Sequence, residues 1–487
     1  MNSRFFIFLS FAVTFCSSCA VGPDFVSPVP PSTPTFVGTT CETGNACSPL
    51  DPTTLSVWWE TFDDPALTEL INAALSEGMD VQAAKARILQ ARARRAQAVS
   101  GLLPTIDLSA DYRRSRSQSG QLSTGVVAGE TNDTVVTHRS GARDEFQAGV
   151  SSSWEIDLFG GNRRAVEAAE ADLQAAEEDA RDVRIVLAAE VASAYFDLRK
   201  LDEQMALSKQ NVEALRSIAD LTERKRAAGL VNGLDESSAK AQLYTSSADL
   251  PRLAGERQAA AYELALLLGK EPAALLEQLR EPKALPAVPQ PAGPGVPADL
   301  VSRRPDIRRA AAQVHAQTAL IGAAESDFYP KLSLSGLLTW EGATFASVAE
   351  GRSSIWSFGP ALQWPLFDGG RIAANVAFEN AATFEALVQY QLTVLRALNE
   401  VERALSTYQQ EKERVAALSA AAAESAKAVD IANRLYRAGL TDFINVLTAE
   451  RTSFSAQQAL LDSRRNGLQS VTDLYKALGG GWESQWR

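Results

Sequence analysis

Side chains suited to catalysis are few in this chain, and they are scattered. Of 487 residues only two are histidines, His138 and His315, and four are cysteines, Cys16, Cys19, Cys41 and Cys47. Neither histidine lies near the cysteines to complete a metal set, and the glycine pairs at 160–161 and 369–370 lack a phosphate-loop pattern. The sequence therefore predicts no enzyme, no catalytic residue and no metal. The cysteines point elsewhere. In "MNSRFFIFLSFAVTFCSSCAVGPDF" a basic residue, Arg4, precedes a short apolar run and then small residues. This reads as a secretory signal over 1–18, too short for a spanning helix. Cleavage before Cys19 would free that cysteine to carry covalent lipid, the only non-protein group expected; no cofactor is. Cys16 is the weaker lipid site because bulky Phe15 precedes it, and it occupies the place where a lipobox normally has leucine. An exported chain meets an oxidising compartment, so Cys41 and Cys47, in "CETGNAC", are expected to close a small disulfide loop. A net charge of −12 and a pI near 5.0 argue against a nucleic-acid partner.

What must be positioned is therefore a surface or a passage, and the elements follow from periodicity. After an extended, Pro/Ser/Thr-rich segment (19–63 in all), residues 64–101 read as helix. Ile106, Leu108, Ala110 and Tyr112 alternate with Thr105, Asp107, Ser109 and Asp111, which predicts a strand over about 104–117 with one apolar face. A polar loop leads to a second strand over about 144–158, where Phe146, Ala148, Val150, Trp154, Ile156 and Leu158 share a face. Gly160 and Gly161 end it. A proline-free helical pattern then runs over about 162–228, with Leu198, Leu201, Met205, Val212, Leu215 and Ala219 at coiled-coil spacing interrupted at Ser208. Gly229 is placed as a left-handed cap, and a return helix covers about 233–268. A Pro-rich linker occupies 281–300.

The order then recurs. Pro104, Leu108 and Ser109 match Pro330, Leu334 and Ser335, 226 positions on. Asp220, Arg224, Gly229 and Gly269 match Asp430, Arg434, Gly439 and Gly479, 210 positions on. "WEIDLFGGNRRA" (154–165) and "WPLFDGGRIAA" (364–374) are the same strand-to-helix junction met twice. The first unit is 64–280. The second, 301–479, has strands over about 330–341 and 354–367, a long helix over about 371–438 and a return helix over about 441–478; 480–487 is a tail.

Four strands cannot close a barrel, and an open sheet edge in lipid leaves backbone groups unpaired at several kcal/mol each. Several chains must share one barrel. Three would give twelve strands and a conducting lumen, two would give eight and a filled one. Trp154, Trp340, Trp356 and Trp364 suit interfacial girdles. A soluble β-helical protein with buried aromatics is the alternative, and the exported N-terminus weighs against it. Helices of this length would continue the barrel as a helical tube.

At this point two motifs carry a resemblance. "CAVGPDF" (19–25) and "LVSRRPDIRRAAAQV...IGAAESDFYPKLSLSG" (300–336) are similar to the lipoprotein branch, OprM- and NodT-like, of the TolC-type outer membrane factors. The resemblance implies an α+β membrane protein: a homotrimer with a twelve-stranded transmembrane β-barrel, four strands per chain, continued by a long α-helical periplasmic barrel. It implies a lipid-anchored place in the outer membrane and a collar made from the chain ends and the 270–300 linker. It also implies a periplasmic adaptor and, through it, a resistance-nodulation-division transporter in the inner membrane. By the same resemblance Gly229, Leu230, Gly439 and Leu440 would contact the adaptor, although the glycines also read simply as helix caps. The gate would lie just beyond Gly439, at Asp442, Ile444, Asn445 and Thr448, with Asp235 opposite. Relatives often carry aspartates where this chain has Asn445 and Thr448, so closure would rest on Ile444 with polar help from Asp235 and Asp442. "SRRPDIRRA" (302–310) reads as structural, with Pro305 at a first helical position and Asp306 at the positive end of the helix dipole. A duct for protein secretion driven by an ATP-binding cassette transporter keeps the same fold. A lipid-anchored coiled-coil scaffold without a pore is the reading from another class. With three methionines in the chain, no Met-rich run points to copper or silver as cargo.

Overall fold

The computed structural model describes residues 20–28, 52–116, 142–290, 303–351 and 353–483. The signal segment, Cys19, Cys41, Cys47 and His138 lie outside the described residues. Two compact units divide the chain, one of 1–26, 91–172 and 314–385, the other of 27–90, 173–313 and 386–487.

The first unit holds a four-stranded antiparallel sheet in the order β1-β2-β3-β4. β1 is Thr105–Arg116, β2 Ala142–Ile156, β3 Lys331–Gly342 and β4 Ser354–Gln363. The alternating residues fix this register because one slip would turn each apolar side chain to the wrong face. A short helix, Phe345–Ala349, lies in the β3–β4 loop, closed at its start by a reciprocal capping box between Thr344 and Ser347. Sequence pattern marks that stretch only as loop. Trp154 donates from Nε1 to the Leu102 carbonyl at 2.9 Å, and Trp364 donates to the Phe328 carbonyl at 3.0 Å. These two bonds stand at the offsets of 210 and 226 that relate the halves of the sequence.

The helices, numbered in chain order, begin with α1, Pro52–Ser56, which with a 3-10 turn over Trp58–Phe62 makes the end of the 19–63 stretch helical in place of the extended chain expected there. α2 (Pro65–Glu77) and α3 (Met79–Ser100) replace the single helix expected over 64–101. Gly78 turns out of the helix at ψ 137°, and a Cβ there would stand 2.4 Å from the Ala74 carbonyl oxygen. Asp64 caps α2, accepting from the Ala66 amide at 2.9 Å. α4 (Gly161–Ala227) and α5 (Gly233–Leu267) follow, then α6 (Pro305–Ser326), the loop helix α7 (Phe345–Ala349), α8 (Arg371–Arg437) and α9 (Phe443–Ala477). α4 and α8 each have 67 residues, and α5 and α9 each have 35. At 1.5 Å per residue, 67 residues rise about 100 Å.

In the second unit the seam on α4 buries Leu198, Val212, Leu215 and Ala219. Ser208 keeps the seam's spacing and is itself buried, its Oγ without a partner among the described residues, so the polar interruption is a packed position. The largest core joins the chain's early turns to its late ones: Trp58, Trp59, Leu70 and Ile71 pack with Val191, Phe196, Leu264, Leu279, Val401 and Tyr475. Trp58 stacks on Tyr475 at 5.7 Å. The start of the linker is stitched to α4: Asp202 accepts from the Lys283 amide at 3.3 Å and Glu203 from the Leu285 amide at 2.8 Å. Pro305 does open α6, and Arg304 reaches Asp306, Glu400 and the Ala477 carbonyl, each within 2.8 Å. Burial works against the Arg304 charge, but those carboxylates hold its pKa above the ordinary value. Arg308 pairs with Glu178 and Arg309 with Asp179. The "SRRPDIRRA" motif is thus a joint between helices.

Candidate functional site

Two places have the geometry to act on something outside the chain: the sheet and the two helical turns. On the sheet the register carries one apolar band across all four strands. Leu108 faces Val150, which faces Leu338, which faces Trp356. Above it Ile106, Ser152, Gly336 and Phe358 form the next row, and below it Ala110, Ala148, Trp340 and Ser354. Tyr112 and Phe146 extend the band with rings 4.7 Å apart. Leu108 is 81% exposed and Trp356 74% in the single chain. The opposite face carries Asp107, Ser109, Asp111, Gln147, Ser151, Ser333, Ser335 and Gln363, broken by Leu337 and Ile355. Among the described residues β1 and β4 each keep one unpaired edge. No described helix is long and apolar enough to cross a membrane.

The turns belong to the second unit. Gly229 and Gly439 have φ of +73° and +74°, the left-handed region that costs a side chain about 1–2 kcal/mol. The Leu230 amide donates to Lys225 O at 2.9 Å and the Gly229 amide to Arg226 O at 2.8 Å; Leu440 and Gly439 repeat this with Leu435 and Tyr436. Both are Schellman closures. Leu230 and Leu440 project beyond them, 73% and 74% exposed. Asn232 caps α5 by accepting from the Asp235 amide, whereas Asp442 begins α9 with no side-chain cap bond. Phe443 and Val446 turn inward, and Ile444 turns outward at 60% exposure, so Ile444 is not a packing residue within its own chain. Asn445 donates to the Thr441 hydroxyl at 2.8 Å, and Thr448 donates to the Ile444 carbonyl at 2.8 Å. Among the described residues no group of three His, Cys, Asp or Glu side chains gathers to hold a metal.

Between the turns the structure assembles a lock that sequence pattern does not announce. Tyr436 packs with Ile218, Ala219, Ala239, Phe443 and Val446. Its hydroxyl meets Thr222 Oγ1 at 3.2 Å, Lys225 bonds its carbonyl, and the Lys225 ammonium lies 3.9 Å from the ring centre. In the first half, Glu236 takes both Arg226 and Lys240, and Lys240 also reaches Glu223 at 3.2 Å. At an offset of 210, Arg226, Glu236 and Lys240 correspond to Tyr436, Val446 and Glu450. One turn is held by ions and the other by rings and aliphatics. The mismatch between aligned halves is the signal that could have found it. Glu450 sits in a groove with Asn211, Ser453, Phe454 and Gln457; burial pushes its carboxyl above the usual range, against an Asn433 amide 3.2 Å away.

Comparison with known proteins decides the family. The outer membrane efflux protein family matches residues 70–270 and 296–480, two blocks that coincide with the two runs of elements. The chain belongs to the outer membrane efflux protein family. Within that family it is 32% identical to the outer membrane protein OprJ of Pseudomonas aeruginosa over 476 residues, covering 96% of this chain and 94% of that one. It is 30% identical to nodulation protein T of Rhizobium leguminosarum bv. trifolii, covering 96% and 95%. Among solved structures it resembles the outer-membrane channel OprN at 33% identity with a TM-score of 0.82, covering 95% of this chain and all of that one. The open state of the MtrE outer membrane channel of Neisseria gonorrhoeae gives 26% identity and a TM-score of 0.77, covering 95% and 99%. This efflux protein is an outer membrane component, as the OprM/NodT-type resemblance implied.

Proposed function

We propose that three copies of this chain, each made of two internal repeats, close a twelve-stranded barrel continued by a helical periplasmic barrel. The assembly is the passive exit duct of a tripartite efflux system. The carrying observation is the sheet: an apolar row across all four strands on one face, a mostly polar opposite face, and two open edges. That surface suits lipid outside and water inside only if other copies pair with β1 and β4. α8 supports the reading with outward Phe378, Phe384, Val388, Leu392 and Leu395, a stripe that a neighbouring copy would cover. Energy comes from an inner-membrane transporter of the resistance-nodulation-division type, coupled through a periplasmic adaptor that contacts the turns at Leu230 and Leu440. Ile444, with Asn445, Thr448, Asp442 and Asp235 near it in sequence or repeat, forms the resting constriction. Lipid on Cys19 holds the chain's start at the membrane, and the duct itself has no catalytic residue.

In-cell crosslinking through a carboxy-terminal tag, followed by mass spectrometry, tests the assignment. Recovery of a proton-driven transporter with its adaptor is the expected result. Recovery of an ATP-binding cassette transporter instead would move the duct to protein secretion. An oligomer that never conducts ions in a bilayer would leave only the scaffold reading.

A further inference from the structure

The first residues after the lipid-bearing cysteine, "AVGPDF" (20–25), serve in the sequence only as a marker. In the structure they lie in a built seat on the junction between β2 and α4. The Val21 amide donates to the Phe159 carbonyl at 3.0 Å. Arg164 grips the segment three times: Nε to Val21 O at 3.2 Å, Nη2 to Gly22 O at 3.4 Å and Nη2 to the Asp24 carboxylate at 2.7 Å. The Arg164 side chain is 7% exposed. A cation in the first turn of a helix opposes the dipole, and a buried one also loses hydration. Glu167 answers that cost at 2.8 Å and also meets His315 Nε2 at 3.0 Å. Burial opposes the Glu167 charge, but Arg164 and His315 hold its pKa below the ordinary value. His315 stacks on Phe25 at 4.4 Å.

The backbone approaches as closely as glycine allows. A Cβ on Gly322 would stand 2.7 Å from Val21 O, and one on Gly160 would stand 2.7 Å from the Ala20 Cα. The repeat makes these residues more telling. At the offsets relating the halves, Arg164 corresponds to the Ala373–Ala374 pair, His315 to Leu89 and Gly322 to Ala96. The halves therefore part company at three residues that touch this one segment. Each chain has one amino terminus and one seat.

We infer that residues 20–25 form a strap whose docking turns the amino-terminal lipid from a loose tether into a tie on the strand-to-helix junction. Ala20 itself lies against Gly160, just past the end of β2. This inference rests on the proposed acylation of Cys19. It adds that the anchor and the seat act as one unit in holding the assembled duct together.

The test is a double-mutant cycle on the full-length protein: wild type, Cys19→Ala, Arg164→Ala and the double variant. The readout is the temperature at which the oligomer dissociates. Coupled sites give non-additive losses, so the double variant should lose no more than the worse single one. Additive losses would overturn the inference. Hydrogen exchange of the peptide covering 20–25 gives a second reading. Wild type should be protected, and removing three bonds from Arg164 should speed exchange about tenfold or more. Gly322→Val should do the same, with amides near Val191 unchanged as a control for folding. A wild-type strap that exchanges like a free peptide would also overturn it. Intact mass of the wild type separates the underlying reading: an unacylated chain with a protected strap removes the tie to the membrane and leaves the duct assignment untouched.

Discussion

At the scale of single residues, the turns carry the most consequential side chains. Ile444 is outward in its own chain, while Phe443 and Val446 beside it are buried. If it forms the constriction, Ile444→Ala raises resting single-channel conductance and makes cells more permeable to bulky antibiotics. Unchanged conductance with unchanged permeability would remove Ile444 from the gate. Its neighbours Asn445 and Thr448 are neutral, so neither position offers a carboxylate to divalent cations. Replacing both with aspartate should introduce a block by millimolar calcium that chelator reverses. Glu450 adds a dependence on pH. Burial raises its carboxyl pKa from an ordinary 4.5, so the folded turn binds that proton more tightly than the unfolded chain. The stabilisation is therefore fully present below the ordinary value and is lost as pH rises through the folded one. Amides near Glu450, corrected for intrinsic rates, should exchange more slowly at about pH 5 than at about pH 7.5. Glu450→Gln should abolish the difference.

At the scale of elements, the sheet makes the sharper claim. Leu108 and Ser109 are neighbours on β1, and their side chains point to opposite faces. If the apolar band meets hydrocarbon, Leu108→Arg costs up to about 2–4 kcal/mol, according to its depth in the bilayer, and lowers the yield of assembled protein. Ser109→Arg should assemble normally and shift ion selectivity toward anions in a planar bilayer. The reverse pattern would turn the barrel inside out. At the Gly439 turn nothing lies within 4 Å of an added Cβ, so the cost of Gly439→Ala is torsional alone. At about 1 kcal/mol, the Gly439 and Leu440 amides should exchange roughly fivefold faster.

For the whole molecule, the proposed assembly of three copies on the open edges of β1 and β4 makes a prediction about stoichiometry. Mild crosslinking of detergent-extracted protein should give a ladder that stops at about three chains. A ladder ending at two would match an eight-stranded barrel with a filled lumen and would sink the duct. Unheated samples should migrate as one oligomer and heated samples as the single chain.

Much of this architecture is legible in the amino-acid sequence itself. The strand alternation of Ile106–Tyr112, the proline-free helical run beyond Gly161 and the paired glycines at 229 and 439 are local signals, because backbone geometry reads its own neighbourhood. Doubling of the pattern strengthens each of them. Local pattern also has limits. It gives 64–101 as one helix because Gly78 alone is a weak break, and it marks Ser208 as an interruption in a seam that the structure packs. The Tyr436–Lys225–Thr222 lock, the Arg304 joint and the Arg164 seat bring together residues as much as 214 positions apart. Side chains so distant in sequence leave no periodic trace. Only the packing of distant elements on one another, and of residues 20–25 onto the β2–α4 junction, decides that they meet.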